Sequence, residues 1–416
     1  MTNQHTTAWI ALRYPALRRM VIAQFISTGG NFMQFAAVNW HVYLLSGKDP
    51  LALGLVGLVR VVPIIIFSLL GGVIADALDR RRLMIRTEIT MTLTAGGLAL
   101  LTLTGNATLF SVYLFTALLA GINAFDRPAW SGILPNLVPG DHTANAIRLN
   151  SVSFQTSAVV GPIVAGLLLT AINPGVLYLC NALSFIPVVW VLLRVRLPKI
   201  KGEKQEVSLR AFTDGLRFIR SQPLIWSSML LDFFAAFFSS AMALLPVYAS
   251  DILKAGEAGY GVLYAAANIG ALCGALLVAQ WGRKLRQQGK AMLAAVAVYG
   301  MATILFGVSE VFWLSFIALF ITGLADSISV VVRNTLRQLL TPDNMRGRML
   351  SINMIFFLGG PQLGELEAGV MARVVSPVFS VVSGGVGTLI ALGVIAATVP
   401  TLRAYREPPK AISPTA

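Results

Sequence analysis

Charge is scarce in this chain. Only 12% of its 416 residues are Asp, Glu, Lys or Arg, about half the usage of a soluble domain, while 56% are apolar. No soluble core hides so large an apolar fraction from water, and the same figures exclude disordered, collagen-like and coiled-coil classes. Cysteine is nearly absent: Cys180 and Cys273 lie far apart in apolar runs, so no disulfide framework is expected. The three histidines, His5, His41 and His142, share no metal-ligand spacing, and neither a metal nor another cofactor is expected. A glycine-rich phosphate loop ending in Lys-Ser or Lys-Thr is missing, which argues against a self-contained ATP-driven pump. No nucleophile–base constellation suggests an enzyme. What remains is an all-α integral membrane protein.

Crossing about 30 Å of hydrocarbon takes roughly 20 helical residues, and only helices or closed barrels satisfy the backbone there. The apolar runs are continuous, without period-two alternation, so a barrel is excluded. Twelve runs are read as transmembrane helices: roughly 20–45, 51–76, 83–104, 107–129, 147–171, 175–194, 223–249, 258–281, 290–308, 311–333, 349–373 and 379–401. The first twenty residues are polar and basic and lead into a run too long for a signal-peptide core, so the N-terminus is expected to be retained.

The net charge of +14 fits this reading better than nucleic-acid binding, which is not expected. With the N-terminus inside, 28 of the 32 Lys and Arg residues fall on the inner side. Lys48, Lys254 and Arg373 fall outside, and Arg60 sits within a span. Such a bias orients the chain with both termini cytoplasmic.

The longest inner segment divides the chain into an N-terminal six-helix half (1–194), a central loop (195–222) and a C-terminal half (223–416). Leu209, Phe212, Leu216, Phe218 and Ile219 recur at mostly helical spacing in that loop, consistent with an amphipathic helix on the inner membrane surface or with a solvated linker. The halves are related: an offset of 202 residues superposes Gly72 on Gly274, Arg81 on Arg283, Gly121 on Gly323, Leu134 on Leu336 and Asp141 on Asp343. Duplicated six-helix halves about an axis along the membrane normal enclose a central cavity, a transporter architecture.

Between helices 2 and 3 stands Gly71-Gly-Val-Ile-Ala-Asp76-Ala-Leu-Asp79-Arg80-Arg-Arg82. A carboxylate at a helix end can face the positive N-terminus of a neighbour and be held by nearby arginines, a latch that must break when halves rock apart. The segment resembles the loop signature of the major facilitator superfamily, with Ala77 where that family usually has Arg. The resemblance implies gating roles for Gly72, Asp76, Arg80 and Arg81. Gly161-Pro162-Ile-Val-Ala-Gly166 in helix 5 resembles the core of that superfamily's antiporter signature and implies a gating role for Gly161 and Pro162. Phe125-Asp-Arg-Pro-Ala-Trp130, Gly215-Leu-Arg-Phe-Ile-Arg220 and Met345-Arg-Gly-Arg-Met-Leu-Ser351 look like the bacterial branch of enterobactin exporters and drug:proton antiporters.

A charge at the bilayer centre costs about 2.5–3.5 kcal/mol on insertion scales, so each needs a reason. Asp232, Glu365 and Glu367 are the candidate proton-coupling carboxylates. Asp326 lies close to Arg333, where a structural pair can neutralise it, and Arg60 is read as mainly structural. Asn31, Gln34, Asn123 and Gln155 are candidate substrate-binding groups, although an interhelical hydrogen bond is the commoner fate of any one of them. The expected protein is a monomer of the bacterial inner membrane that exports a small amphipathic molecule in exchange for protons, with membrane lipid as its other partner. A proton-coupled uptake symporter and a non-transporting receptor are the alternatives.

The topology is checked by labelling. In a chain whose two native cysteines are replaced, single cysteines at Gly47, Thr104 and Asn173 are expected to react with an impermeant maleimide applied outside. Cysteines at Lys201 or Gln287 are expected to react only after permeabilisation; the reverse pattern would invert the orientation.

Overall fold

The computed structural model describes residues 8–77, 79–195, 209–281, 287–342 and 345–405, with the backbone alone over 8–10, 68–77, 209–212, 241, 281, 346–347, 350–351, 355 and 358. The side chain of Asp76 and the surroundings of Gly72 therefore lie outside the described residues, as does the basic run 199–206. Helices follow one another: α1 (Pro15–Leu45), α2 (Pro50–Ala77), α3 (Arg80–Leu103), α4 (Leu109–Ile133), α5 (Thr143–Leu169), α6 (Pro174–Ser184), α7 (Ile186–Arg194), α8 (Leu209–Ser221), α9 (Pro223–Phe238), α10 (Leu245–Val247), α11 (Gly256–Trp281), α12 (Gln288–Val308), α13 (Phe312–Leu340), α14 (Arg346–Val374), α15 (Pro377–Thr398) and α16 (Pro400–Ala404).

Nine helical segments among the described residues are long and apolar enough to cross a membrane. Three further long helices, α1, α3 and α14, fall outside that group and carry conspicuous polar residues: Gln24, Asn31 and Gln34 in α1, Glu88 in α3, and Glu365 and Glu367 in α14. They pack within the same bundle, α1 on α5 and α6, α3 on α4 and α6, α14 on α2 and α9.

Two runs read as single helices are broken. The sixth is interrupted at Phe185, where Pro187 has no N–H to give the carbonyl of Leu183. The seventh stops at Phe238; Ser239 and Ser240 precede a 3-10 turn (Ala241–Leu244), the single turn α10 and a π-helical turn (Tyr248–Ile252). Pro246 cannot bond back to Met242. The Ser240 hydroxyl lies 2.7 Å from the Ala236 carbonyl and 3.1 Å from the Pro361 carbonyl, with one proton to give, and the Ser239 and Thr388 hydroxyls lie 2.8 Å apart, so side chains bridge the break to α14 and α15. In the amphipathic helix α8, Ile219 is fully buried in a cluster with Ile225, Met229, Leu336, Met349 and Ile352, and Leu216 and Phe218 pack against it.

The pairings repeat along the chain. In the first group α1 packs on α5 and α6, α2 on α4, and α3 on α4 and α6. In the second, α9 packs on α14 and α15, α11 on α13, and α12 on α13 and α15. Gly121 and Gly323, matched by the sequence offset, occupy corresponding crossings, α4 on α2 and α13 on α11.

Among the described residues the groups meet mainly through α2 with α14 and α5 with α11, with α1 also touching α10 and α11. Each of the two main pairs is a glycine-on-glycine crossing. A Cβ at Gly54 would lie 3.0 Å from the Gly369 Cα, and one at Gly166 would lie 2.6 Å from the Gly261 Cα, too close for any side chain. Near the same end two ion pairs span the groups: Lys48 to Asp251 at 2.7 Å and Arg373 to Asp49 at 3.2 Å. The hydrogen bond to Asp251 raises the pKa of the exposed Lys48 ammonium. An apolar cluster including Trp40, Tyr43, Val56, Tyr248 and Tyr260 runs through both groups. Toward the other end the apolar clusters are separate: one includes Met20, Met84, Ile133 and Val188, others Met229, Leu231, Leu336 and Leu402. The bundle is fastened at the end carrying loop 46–49.

Exposed ion pairs are individually weak, so reversing Lys48 (Lys48→Glu) is expected to shift the balance between closed and open forms by no more than roughly fivefold. Spin labels at Gly47 and Lys254 should report a larger population at long separation, restored toward the wild-type distribution by the swap Lys48→Asp with Asp251→Lys. An unchanged distribution in the reversal would remove the pair from the fastening.

Candidate functional site

Arg60 lies midway along α2, where an unneutralised guanidinium would be costly. Its Cζ sits 3.3 Å from the centroid of the Phe35 ring on α1, a cation–π contact. Glu365 of α14 faces it electrostatically from the other helix group. The approach depends on Gly57: a Cβ there would lie 2.7 Å from Glu365 Oε2. From α11, Tyr264 joins the same electrostatic field. One turn before it, the Tyr260 hydroxyl donates to the Ala36 carbonyl of α1 at 3.0 Å; one turn after it, the Asn268 amide donates to the Ala158 carbonyl of α5 at 3.0 Å. Tyr260, Tyr264 and Asn268 are spaced four residues apart and so form one stripe. Sequence reasoning missed both tyrosines; that four-residue spacing was the available signal.

The first group adds a second aromatic–cation set. Phe32 and Phe154 meet edge-to-face at 5.3 Å, and the Arg127 guanidinium lies 5.8 Å from the Phe154 ring. Gln155 is half-buried beside Phe154, and Asn123 is half-buried with its amide donating to Leu119. Gln34 is only 4% exposed and accepts from the Asn181 amide at 2.6 Å, with Asn31 at 3.5 Å from the same amide. These two residues tie α1 to α6. Gly161 packs on the backbone of Gly29 and Met33 in α1, while the Pro162 carbonyl and Gly166 meet Gly261 of α11, so the motif serves two helix contacts at once.

Asp232 is held by two arginines of α13, Arg333 at 2.8 Å and Arg337 at 3.4 Å. Asp326 also reaches Arg333, at 3.4 Å. The expected Asp326–Arg333 pair is thus one part of a four-residue network that also takes in Asp232, the candidate coupling carboxylate. Arg337 further donates to the Ser228 carbonyl and to Asn353. Above the network a cavity of about 180 Å³ is lined by Ser239, Asn268, Tyr299, Thr303, Thr322 and Asp326, beside the break in the seventh run. Glu367 is half-buried, two residues from Glu365 and so on a different side of α14.

At the other end, Asp79 caps α3 by accepting from the Arg82 amide at 3.1 Å. Arg81 donates to the carbonyls of Leu192 (2.7 Å) and Leu193 (3.1 Å) at the end of α7, and Arg80 fills the space left by Gly132 of α4. Both arginines are thus bonded or packed within the first group. Two intramembrane carboxylates escaped the sequence reading, Glu88 of α3 and Asp126 of α4, both buried.

Comparison with known proteins places this arrangement. Residues 6–413 match the family model described as transmembrane secretion effector, of the major facilitator superfamily. The chain is 26% identical over 397 residues to the enterobactin exporter EntS of Salmonella choleraesuis (strain SC-B67), covering 95% of each chain. It is 27% identical over 403 residues to EntS of Citrobacter koseri, covering 95% of this chain and 94% of that one. Among solved structures it resembles an inward-facing, unoccupied bacterial homologue of the human lysosomal transporter Spinster, at TM-score 0.73 and 16% identity, covering 95% of this chain and 99% of the other. A POT peptide transporter is similar at TM-score 0.76 and 12% identity, with 94% and 96% covered. The chain belongs to the transmembrane secretion effector family of the major facilitator superfamily and is a multi-pass transporter of the bacterial inner membrane.

Proposed function

We propose that this transporter exports a small amphipathic molecule by proton antiport with alternating access. Twelve membrane-crossing helices form two halves, 1–194 and 223–416, joined by 195–222, with both termini in the cytoplasm. The lengths of α1, α3 and α14, 31, 24 and 29 residues, support counting them among the spans. In this orientation the fastened end is the outer one, and the conformation opens toward the cytoplasm. The loop containing Gly72, Asp76, Arg80 and Arg81 is the inner counterpart of the Lys48–Asp251 and Asp49–Arg373 pairs, engaging as the outer pairs release.

The observation that carries the reading is Arg60 on Phe35, faced by Glu365 from the opposite half. Glu365 is the coupling carboxylate. Ionised, it binds Arg60 and holds the halves together at the outer side; protonated, it releases the guanidinium to an anionic or polar group of the substrate. Two guanidiniums resting on aromatic rings, Arg60 on Phe35 and Arg127 near Phe154, suit a planar ring bearing acidic or hydroxyl groups. Asn31, Asn123 and Gln155 add hydrogen-bonding capacity on that face; Gln34 is committed to Asn181. Asp232 acts as the partner of Arg333 and Arg337 rather than as a proton carrier, and Glu367 stands off the Arg60 contact. Export over uptake is favoured by the relatives named as enterobactin exporters.

Inside-out vesicles with an imposed pH difference test this against a panel of aromatic acids, phenolic compounds and amphipathic dyes. Glu365→Gln is expected to abolish gradient-driven accumulation while down-gradient exchange persists. Asp232→Asn is expected instead to lower the yield of folded protein, because it leaves two buried arginines undercompensated. Full gradient response in Glu365→Gln, or a well-folded Asp232→Asn that has lost only coupling, would move the role to Asp232.

A further inference from the structure

Glu88 lies on the buried stripe of α3 that also carries Met84, Met91 and Ala95, between the apolar cluster around Met84 and Val188 and the one around Met91 and Phe185. Its exposure is 0%, and among the described residues neither carboxylate oxygen has a hydrogen-bond partner. Asp126 comes from the corresponding stripe of α4, with Leu119, Ala129 and Ile133, and is 7% exposed. The two acids interact electrostatically.

The two helices meet at this level. The Thr87 hydroxyl, next to Glu88 in the chain, donates to Asp126 Oδ1 at 2.7 Å, so Asp126 has a neutral partner where Glu88 has none among the described residues.

Positive charge is thin around the pair. On α4 the neighbour Arg127 interacts with Asp126, but its guanidinium lies toward the Phe154 ring of α5. On α3, Arg86 is exposed and two residues away from Glu88, hence on another side. The charged residue of α6 and α7 is Arg194, at the far end over Trp190. Arg81 is bonded to α7 carbonyls. On α2, Arg60 is engaged with Phe35 and Glu365. Two buried carboxylates on neighbouring helices, one of them without a hydrogen-bond partner among the described residues, do not both stay ionised in an apolar interior.

We propose that Glu88 and Asp126 form a proton-binding site in the first helix group, separate from Glu365, that holds at least one proton in this conformation. The site deepens the proton-coupled reading above, but its test needs no substrate, so the two can fail separately.

The full-length protein in lipid nanodiscs is examined by infrared spectroscopy at neutral pH, with protons as the only ligand. Wild type is expected to show the carbonyl stretch of a neutral carboxylic acid, shifted by deuterium exchange. Glu88→Gln or Asp126→Asn should remove intensity from it, and Glu365→Gln should leave that component in place. Thermal unfolding supplies the second readout. An amide imitates a neutral acid, so Glu88→Gln should keep the wild-type midpoint at acid pH and exceed it as pH rises, because the native acid then forgoes the ionisation available to the unfolded chain. No neutral-carboxyl band that either variant removes, or a Glu88→Gln that fails to fold, would mean that the pair is ionised and would overturn the proposal.

Discussion

A guanidinium within the apolar part of a helix bundle must find its countercharge nearby or not be there at all. Arg60 meets this requirement in an unusual place, because Glu365 belongs to the other helix group. Their electrostatic interaction falls at the α2–α14 contact, where the two groups meet. Everything along that contact is shaped to permit it. Gly57 leaves room for the Glu365 side chain, and Gly54 and Gly369 bring the backbones together. Phe35 supports the guanidinium from α1. A larger residue at Gly57 would push the carboxylate away and leave the arginine exposed to hydrocarbon, so packing and electrostatics cannot be altered independently here.

Fastening at one end follows the same economy. Apolar helices gain little from meeting one another when lipid is equally apolar, so close association relies on small residues and polar contacts. The α2–α14 and α5–α11 crossings supply the former, and Lys48–Asp251 with Asp49–Arg373 supply the latter. The ion pairs are exposed and individually weak, as the proposed release of the outer end requires. By contrast, Asp232 with Arg333 and Arg337 is buried within one group. Breaking such a network leaves uncompensated buried charge, so it belongs to the parts that move as a body.

Much of this was legible in the sequence. Long apolar runs separated by short polar breaks mark the helices, and the loop and Gly-Pro motifs mark the family that the comparisons show. Partnership was not legible. Asp232 and Arg337 are 105 positions apart, and no spacing rule connects them; Asp326 with Arg333, seven apart on one helix, could be read directly. Gln34 looked available for a ligand because nothing in α1 itself shows that Asn181 of α6 reaches it. Glu88 and Asp126 were missed for another reason: each has an arginine within two positions, and such mixtures read as the edge of a loop. Only the packed structure puts their side chains on the buried stripes of α3 and α4. The breaks at Phe185 and Ser239 were signalled by Pro187 and Pro246, but the hydropathy of both runs masked them.

The intramembrane acids thus fall into three environments, and the distinction bears on which of them can carry a proton through a transport cycle. Asp232 is bound to two arginines, and taking up a proton would cost it both contacts. Glu88 and Asp126 have the opposite problem: losing a proton would place negative charge where neither Glu88 oxygen has a partner. Glu365 lies between these extremes, with one countercharge, and that countercharge is supplied by the other group. When the groups separate, its stabilisation weakens without any change in its own helix. The coupling role proposed for Glu365 rests on this geometry: its countercharge lies in the other group, whereas Asp232 and the Glu88–Asp126 set have their surroundings within one group.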